Sequence, residues 1–395
     1  MKQYLDFFRA ERQRIDAGSS PLLNQRRDEA AAALERLGFP SQRVERYRYT
    51  DVAAAFAPNY GIQLQTAEKV VTDLHPSASL YYAQLADVKA DAITALNTML
   101  VQDVTIIHVA AGERKQHPVQ ITNTLSATAP LMQNRRLLIV AEAGAELDVI
   151  MTDKARGQQD FLTTQVTEIV VGEGARVGFY DIEDTHEHCH RFHQVFARVA
   201  SGGKLTHSVF TLAGGLSRNQ TDVALVGQGA DANLLGCAIT IGQQHVDNNT
   251  LIEHISPAST SHELYKYVVD GASTGAFAGR ILVREGAQQT VSEERNANLV
   301  CTNQARMWTQ PMLEIYADDV KCSHGSTVGQ MADDALFYMR QRGISEAEAR
   351  TLLKQAFASE VLGALPLEPL RQRLQAMVEH RFRSCEDCQL CKPHD

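Results

Sequence analysis

A glycine-centred turn recurs through the middle of this chain at a spacing close to thirty residues, with no helix-length window between recurrences. IVAEAGAELDVI, IVVGEGARVGFY, ARVASGGKLTHS and ALVGQGADANLL each carry an apolar run into a small turn and out into a second run. Their turn glycines, Gly144, Gly174, Gly203 and Gly229, are separated by 30, 29 and 26 residues. ILVREGAQQTV repeats the cue, but the regular spacing breaks after Gly229. The runs VTIIHVA, RRLLIVA, VTEIVV, ILVRE and LEIYA are short and rich in β-branched residues, which reads as strands. Strands and tight turns on one long superperiod predict stacked coils of a β-solenoid, in which each coil buries its inward side chains on its neighbours. A β-sandwich is the competing architecture. It would turn every ~8–12 residues without a longer period, so the pattern favours the solenoid.

Helical texture brackets this β body. In RDEAAAALERLG the apolar Ala31, Leu34 and Leu37 keep helical spacing, and Gly38 before Pro40 is a stop signal. The SQRVERYRYTDV stretch that follows is aromatic and basic, and residues from about 52 to 100 are mixed without a clear period. After Gly329 helix returns in DALFYMRQRG, ended by Gly343, and in SEAEARTLLKQAFASEVL, where Ser345 and Glu348 form a capping box. LEPLRQRLQAMVEHRF reads as a further helix. The expected division is 1–100 helical and mixed, 101–329 β-solenoid, 330–384 helical and 385–395 a cysteine-rich tail.

Charge narrows the function. Lys plus Arg total 38 against 47 Asp plus Glu, a net charge of -9, so there is no basic field for a phosphate backbone and nucleic acid is not expected as a partner. The start, MKQYLDFFRAERQR, puts Asp6 and Arg9 where a signal peptide needs an apolar core, and no run of 18 apolar residues occurs. The expectation is a cytoplasmic protein without a membrane partner. Seven cysteines, an odd number, with Cys189, Cys237, Cys301 and Cys322 standing singly, do not make a disulfide framework.

Nucleotide chemistry is not expected of this chain either. The one Gly-Lys pair, in SGGKL, is followed by Leu205 where a P-loop needs Ser or Thr, and GEGARVG places its third glycine one residue late for a dinucleotide fingerprint. Three other groupings carry metal-competent residues. In HEHCHRFH an extended backbone would put His186, His188 and His190 on one face and Cys189 on the other, yet the flanking DIEDT and RF suit a solvated loop or edge strand better. The tail sets Cys385, Cys388, Cys391 and His394 at iron-sulfur or zinc spacing, or forms a flexible thiol tail. In DDVKCSHGSTVG, Cys322 and His324 lie two apart, so on a strand they share a face and could meet one metal or sulfur atom, with Gly325 allowing a turn beside them. The plain alternative is a packed thiol and a hydrogen-bonded turn histidine.

The run from AGRILVREGAQQTVSEERNANLVCTNQARMWTQPMLEIYADDVKCSHGSTVGQMADDALFYMRQRGISEAEARTLLKQAFASEVL, supported by ERYRYTDV, resembles the SufB/SufD family of iron-sulfur cluster assembly proteins, and most the D type. The resemblance implies a right-handed parallel β-helix flanked by N-terminal and C-terminal helical regions. It implies a non-catalytic scaffold in a complex of one B, one D and two C subunits, the C subunit being an ABC-type ATPase. Whether two copies form a homodimer when the B-type partner is missing is left open by the sequence. By the same resemblance Phe337, Tyr338, Arg340, Arg342, Gly343 and Ile344 bind the ATPase. His324 and Cys322 serve a transient iron or iron-sulfur site at the subunit interface. The tail cysteines lie outside the family pattern. Two rival functions remain open from sequence: a β-helix carbohydrate-active enzyme using acids such as Glu293, Glu294 and Asp318, and a metal storage or delivery protein using HEHCHRFH and the tail.

Overall fold

The computed structural model describes residues 1–66 and 74–383. Among the described residues six α-helices precede the coils, with one short strand between the fourth and fifth: α1 (Lys2–Ala17), α2 (Pro21–Asn24), α3 (Arg27–Leu37), α4 (Val52–Ala55), α5 (Ser77–Tyr81) and α6 (Ala92–Leu100). Gly38 ends α3 at φ 65°. The Asp91 carboxylate starts α6 by accepting the N–H groups of Ile93 and Thr94. Every residue of α6 is buried, so it lacks the one-sided apolar stripe by which a surface helix announces itself. That accounts for the last nine residues of the unplaced 52–100 region.

The chain then alternates between two parallel sheets. Its strands are β1 (Gly61–Ile62), β2 (Thr105–Val109), β3 (Val119–Leu125), β4 (Leu131–Ala141), β5 (Glu146–Ala155), β6 (Phe161–Val171), β7 (Arg176–Asp184), β8 (Cys189–Val199) and β9 (Lys204–Ala213). They continue as β10 (Leu216–Leu225), β11 (Asp231–Thr240), β12 (His245–His254), β13 (Thr260–Val269), β14 (Thr274–Val283), β15 (Thr290–Val300), β16 (Arg306–Ile315) and β17 (Val320–Gln330). Even-numbered strands stack in order β4 to β16 and odd-numbered strands in order β3 to β17, which is a β-solenoid of about eight turns. Three helices close the described chain: α7 (Asp333–Gln341), α8 (Glu346–Gly363) and α9 (Glu368–Phe382). The Ser345 side chain accepts the Glu348 N–H at the start of α8, as the capping box predicts.

One corner of the coil explains the glycine period and corrects its reading. Gly112, Gly144, Gly174, Gly202 and Gly229 all have positive φ. That conformation costs an L side chain about 1–2 kcal/mol. Gly202, not Gly203, is thus the turn residue of SGGK. The repeat also does not break after Gly229: Ala258 and Gln289 take the same corner at φ 56° and 61°. Each corner N–H donates to the next coil, Gly174 to Ser201 O, Gly202 to Gln228 O, Gly229 to Pro257 O and Ala258 to Gln288 O. The glycine disappears while the coil persists, because this ladder holds the strained backbone in place.

Leu147, Val149, Val177, Phe179, Leu205 and Val223 fill the lumen of the coils. Charge is buried there too. Arg191 donates to Asp153 at 2.8 Å, to Asp181 at 2.6 and 2.7 Å and to Asn219 at 2.8 Å, and Asn219 passes the chain of bonds to Asn248 at 3.0 Å. Such buried ions are tolerated because each finds an opposite charge and hydrogen bonds. The outer faces are covered separately. Leu5, Phe8, Leu34, Phe56 and Leu96 of the N-terminal region pack on Met132, Leu162 and Phe192 of the even sheet. Val361, Leu362, Leu374 and Val378 of α8 and α9 pack on Tyr180, Phe210 and Leu235 of the odd sheet.

Candidate functional site at the last coil

Strand β17 is the last of the odd sheet and β16 the last of the even sheet. Inward and outward residues alternate along β15, where Ser292, Glu294, Asn296 and Asn298 are buried while Val291, Glu293 and Arg295 are exposed. The register Ser292↔Cys322, Glu294↔His324 and Asn296↔Ser326 puts Cys322 and His324 on the inward face. They share a face, as their spacing predicts. Position in the stack sets their accessibility: Cys322 is half-buried and His324 exposed, because among the described residues no later coil covers them. Gly325 makes no turn; it lies within the strand, and β17 runs on to Gln330.

The Cys322 thiol packs at the margin of the cluster formed by Ile281, Val283, Ala287 and Ala317, and this burial pushes its pKa up. An unassisted thiol here stays protonated; a metal or a basic neighbour is needed to make it a good ligand. Directly inside His324 lies Glu294, and inside Glu294 lies Glu263 in matching register. Both acids are buried, and burial raises both carboxyl pKa values above the ordinary range, with mutual repulsion adding to the rise at Glu294. The column Glu263, Glu294, His324 was missed in the sequence. Its signal in the sequence is the step of one coil length between successive positions, 31 and 30 residues.

The last coil also displays apolar surface. Trp308, Ile315, Tyr316 and Val328 are exposed, at 37%, 40%, 62% and 50%. The ERYRY segment straps across the even sheet towards this end: Arg46 bonds Asn249 at 2.9 Å and Asp222 at 3.0 Å, Thr50 bonds Asp247 at 2.6 Å, and Tyr49 stacks on Trp308 with ring centroids 5.5 Å apart. Arg46, Tyr49 and Thr50 of that segment are therefore engaged by the protein's own strands.

On the C-terminal helices, Leu336 is buried while Phe337 and Tyr338 are 62% and 57% exposed. Arg342 lies over the Tyr338 ring at 4.6 Å, and Arg340 approaches Glu346 at 3.6 Å. Gly343, at φ 85°, turns the chain between α7 and α8, and Ile344 is half-buried.

The other groupings are dispersed. His186 and His188 precede β8, their ring centroids 5.9 Å apart, and His188 faces Asp160 at 3.2 Å. Cys189 is buried, with its pKa pushed up to about 11 by desolvation. His193 points into the lumen and meets Asp181 at 2.8 Å and Thr167 at 2.9 Å. HEHCHRFH thus divides: His186 to His188 form a partly exposed turn, as a solvated loop would, whereas Cys189 to His193 begin β8 and are mostly buried. Among the described residues no group of three or more His, Cys, Asp or Glu is arranged to hold a metal ion. Cys385, Cys388, Cys391 and His394 lie outside the described residues. Glu293 faces outward and Glu294 inward, so the acids named for a carbohydrate enzyme do not form a pair. Among the described residues no helix is long and apolar enough to cross a membrane.

Comparison with known proteins gives consistent matches. The family model described as SUF system FeS cluster assembly, SufBD core domain, matches residues 123–357. That described as SufBD protein N-terminal region matches 1–77 and 67–121. An iron-sulfur cluster assembly SufBD family protein of Synechocystis is 31% identical over 303 residues, 74% of this chain and 66% of that protein, so the alignment spans just under two thirds of the relative. The iron-sulfur cluster assembly protein SufD of Escherichia coli is 31% identical over 300 residues, 75% of this chain and 70% of that protein. A SufBD family protein of Mycobacterium leprae is 27% identical over 389 residues, 94% of this chain and 98% of its own length.

Proposed function

This chain belongs to the SufBD family of iron-sulfur cluster assembly proteins, and we propose that it serves there as a cytoplasmic, non-catalytic scaffold subunit of the D type. In this reading a B-type subunit pairs with the last coil, and an ABC-type ATPase docks on the α7–α8 region through Phe337, Tyr338, Arg340, Arg342, Gly343 and Ile344. His324, with Cys322 beside it, takes iron or a nascent cluster as transient cargo between the subunits. The nucleotide is bound by the ATPase and not by this chain. In the absence of the B-type partner two copies pair through the same edge.

The observation that carries the reading is the coincidence of three features at one end of the solenoid. Terminal strands of both sheets offer backbone for continuation by another chain. The apolar residues Trp308, Tyr316 and Val328 are exposed around them. Cys322 and His324 point inward at the same place, where a second solenoid would seal them from water. Imidazole and thiolate are both competent iron ligands. The exposure of Phe337 and Tyr338 on a helix that does not need them for its own packing supports the ATPase contact.

The test is His324→Ala in the complex with its partners. Cluster formation should be lost while the three kinds of subunit still co-purify. Wild-type cluster yield from that complex would remove His324 as a ligand.

A further inference from the structure

Elsewhere in the lumen, buried acids are neutralised by arginine: Asp153 by Arg135 and Arg191, Asp181 by Arg191. Glu263 and Glu294 break that rule. They face each other across neighbouring strands in register, 2% and 0% exposed. Among the described residues neither has an ion-pair partner or a cation acting on its charge. The Thr250 hydroxyl donates to Glu263 Oε2 at 2.8 Å, and the other three carboxylate oxygens have no hydrogen-bond partner. Room for this has been left on the facing sheet: a Cβ at Gly279 would collide with Glu294 Oε1. Two adjacent carboxylates sealed from water cost several kcal/mol apiece unless they bind protons or a cation.

We propose that Glu263 and Glu294 form an interior site for one hard divalent cation of the ferrous or manganous type, one coil inside His324. Parallel neighbours stand ~4.8 Å apart, and hard cations of this size bind oxygen at about 2.0–2.2 Å, so one ion can bridge facing carboxylates. Glu294 is the direct neighbour of His324 in the ladder. An ion held by the acid pair therefore waits beside the histidine at the open end. The identity of the ion as iron rests on the scaffold reading; the existence of the site does not.

The experiment is Mn²⁺ titration of the purified full chain, with electron paramagnetic resonance counting free Mn²⁺, followed by anaerobic displacement with Fe²⁺. Mn²⁺ is chosen because thiolates prefer softer ions, which keeps the cysteines silent. The wild type should bind one Mn²⁺ per chain, displaceable by Fe²⁺. The isosteric Glu263→Gln and Glu294→Gln should each weaken that binding about tenfold or more, with circular dichroism unchanged. His324→Ala should retain it. Wild-type Mn²⁺ binding in both glutamine variants, or none in the parent, overturns the site and leaves a proton-sharing acid pair. Loss of Mn²⁺ in Glu294→Gln together with full cluster yield in His324→Ala would sink the ligand role of His324 while leaving the interior site standing.

Discussion

Glu294 is the in-register neighbour of His324 across the β15–β17 ladder, so the exposed imidazole on the inward face stands directly above a fully buried acid. The folded pKa values of Glu263 and Glu294 are raised above the ordinary value of 4.5 by burial. The native state therefore binds more protons than the unfolded chain. Their contribution to stability is complete below the unfolded value and declines as pH rises through the folded values. Measured in chelator, Glu294→Gln should become more stable than the parent on going from pH 5 to pH 9, by about 1–3 kcal/mol at the alkaline end. A pH-independent difference in denaturation midpoint would contradict this.

Two buried histidines work in the opposite direction. Desolvation pushes His207 and His254 down to about 4 from 6.5. Both rings are neutral in the folded state, so their contribution is present above pH 6.5 and is lost as pH falls towards 4. Acid denaturation should begin in that interval, and His254→Asn should flatten it. His254 bonds Ser259 at 2.7 Å and Ser261 at 2.9 Å. The flattening should therefore come with a lower plateau stability at neutral pH.

Arg191→Ala should destabilise the chain by about 3–5 kcal/mol. The reason is that it leaves Asp181 without its arginine and Asp153 with Arg135 alone. Adding Asp153→Asn and Asp181→Asn should recover part of the loss. A chemical denaturation series on the three proteins measures it.

The corner ladder predicts a sign change between equivalent positions. Gly229 sits at φ 67° and Ala258, one coil later, at φ 56°. Gly229→Ala should cost about 1–2 kcal/mol. Ala258→Gly should be neutral or stabilising by up to ~1 kcal/mol. Paired thermal melts distinguish this from a general intolerance of the corner to change.

Phe337 and Tyr338 are exposed. Phe337→Ser and Tyr338→Ser should therefore leave thermal stability within about 0.5 kcal/mol of the parent. The same variants should lose the ATPase from the purified complex. Retention of the ATPase by the double variant would move the docking surface elsewhere.

The local chemistry of this chain was legible residue by residue. β-Branched runs, the near-thirty spacing of small turns, the Ser345 cap and the stop at Gly38 each act over a few neighbours, and all reappear in the solenoid and its flanks. The shared face of Cys322 and His324 followed from strand geometry alone. Stacking decided the rest. α6 escaped notice because burial on every side erases periodicity. The coil beyond Gly229 escaped because Ala258 and Gln289 accept a glycine conformation under the hold of hydrogen bonds from the next turn. Which acids meet was decided there too: Glu293 and Glu294 are neighbours in sequence but lie on opposite faces, whereas Glu263 and Glu294, a whole coil apart, lie side by side. Patterning along a chain sets which way each side chain points; only the register between coils sets what it points at.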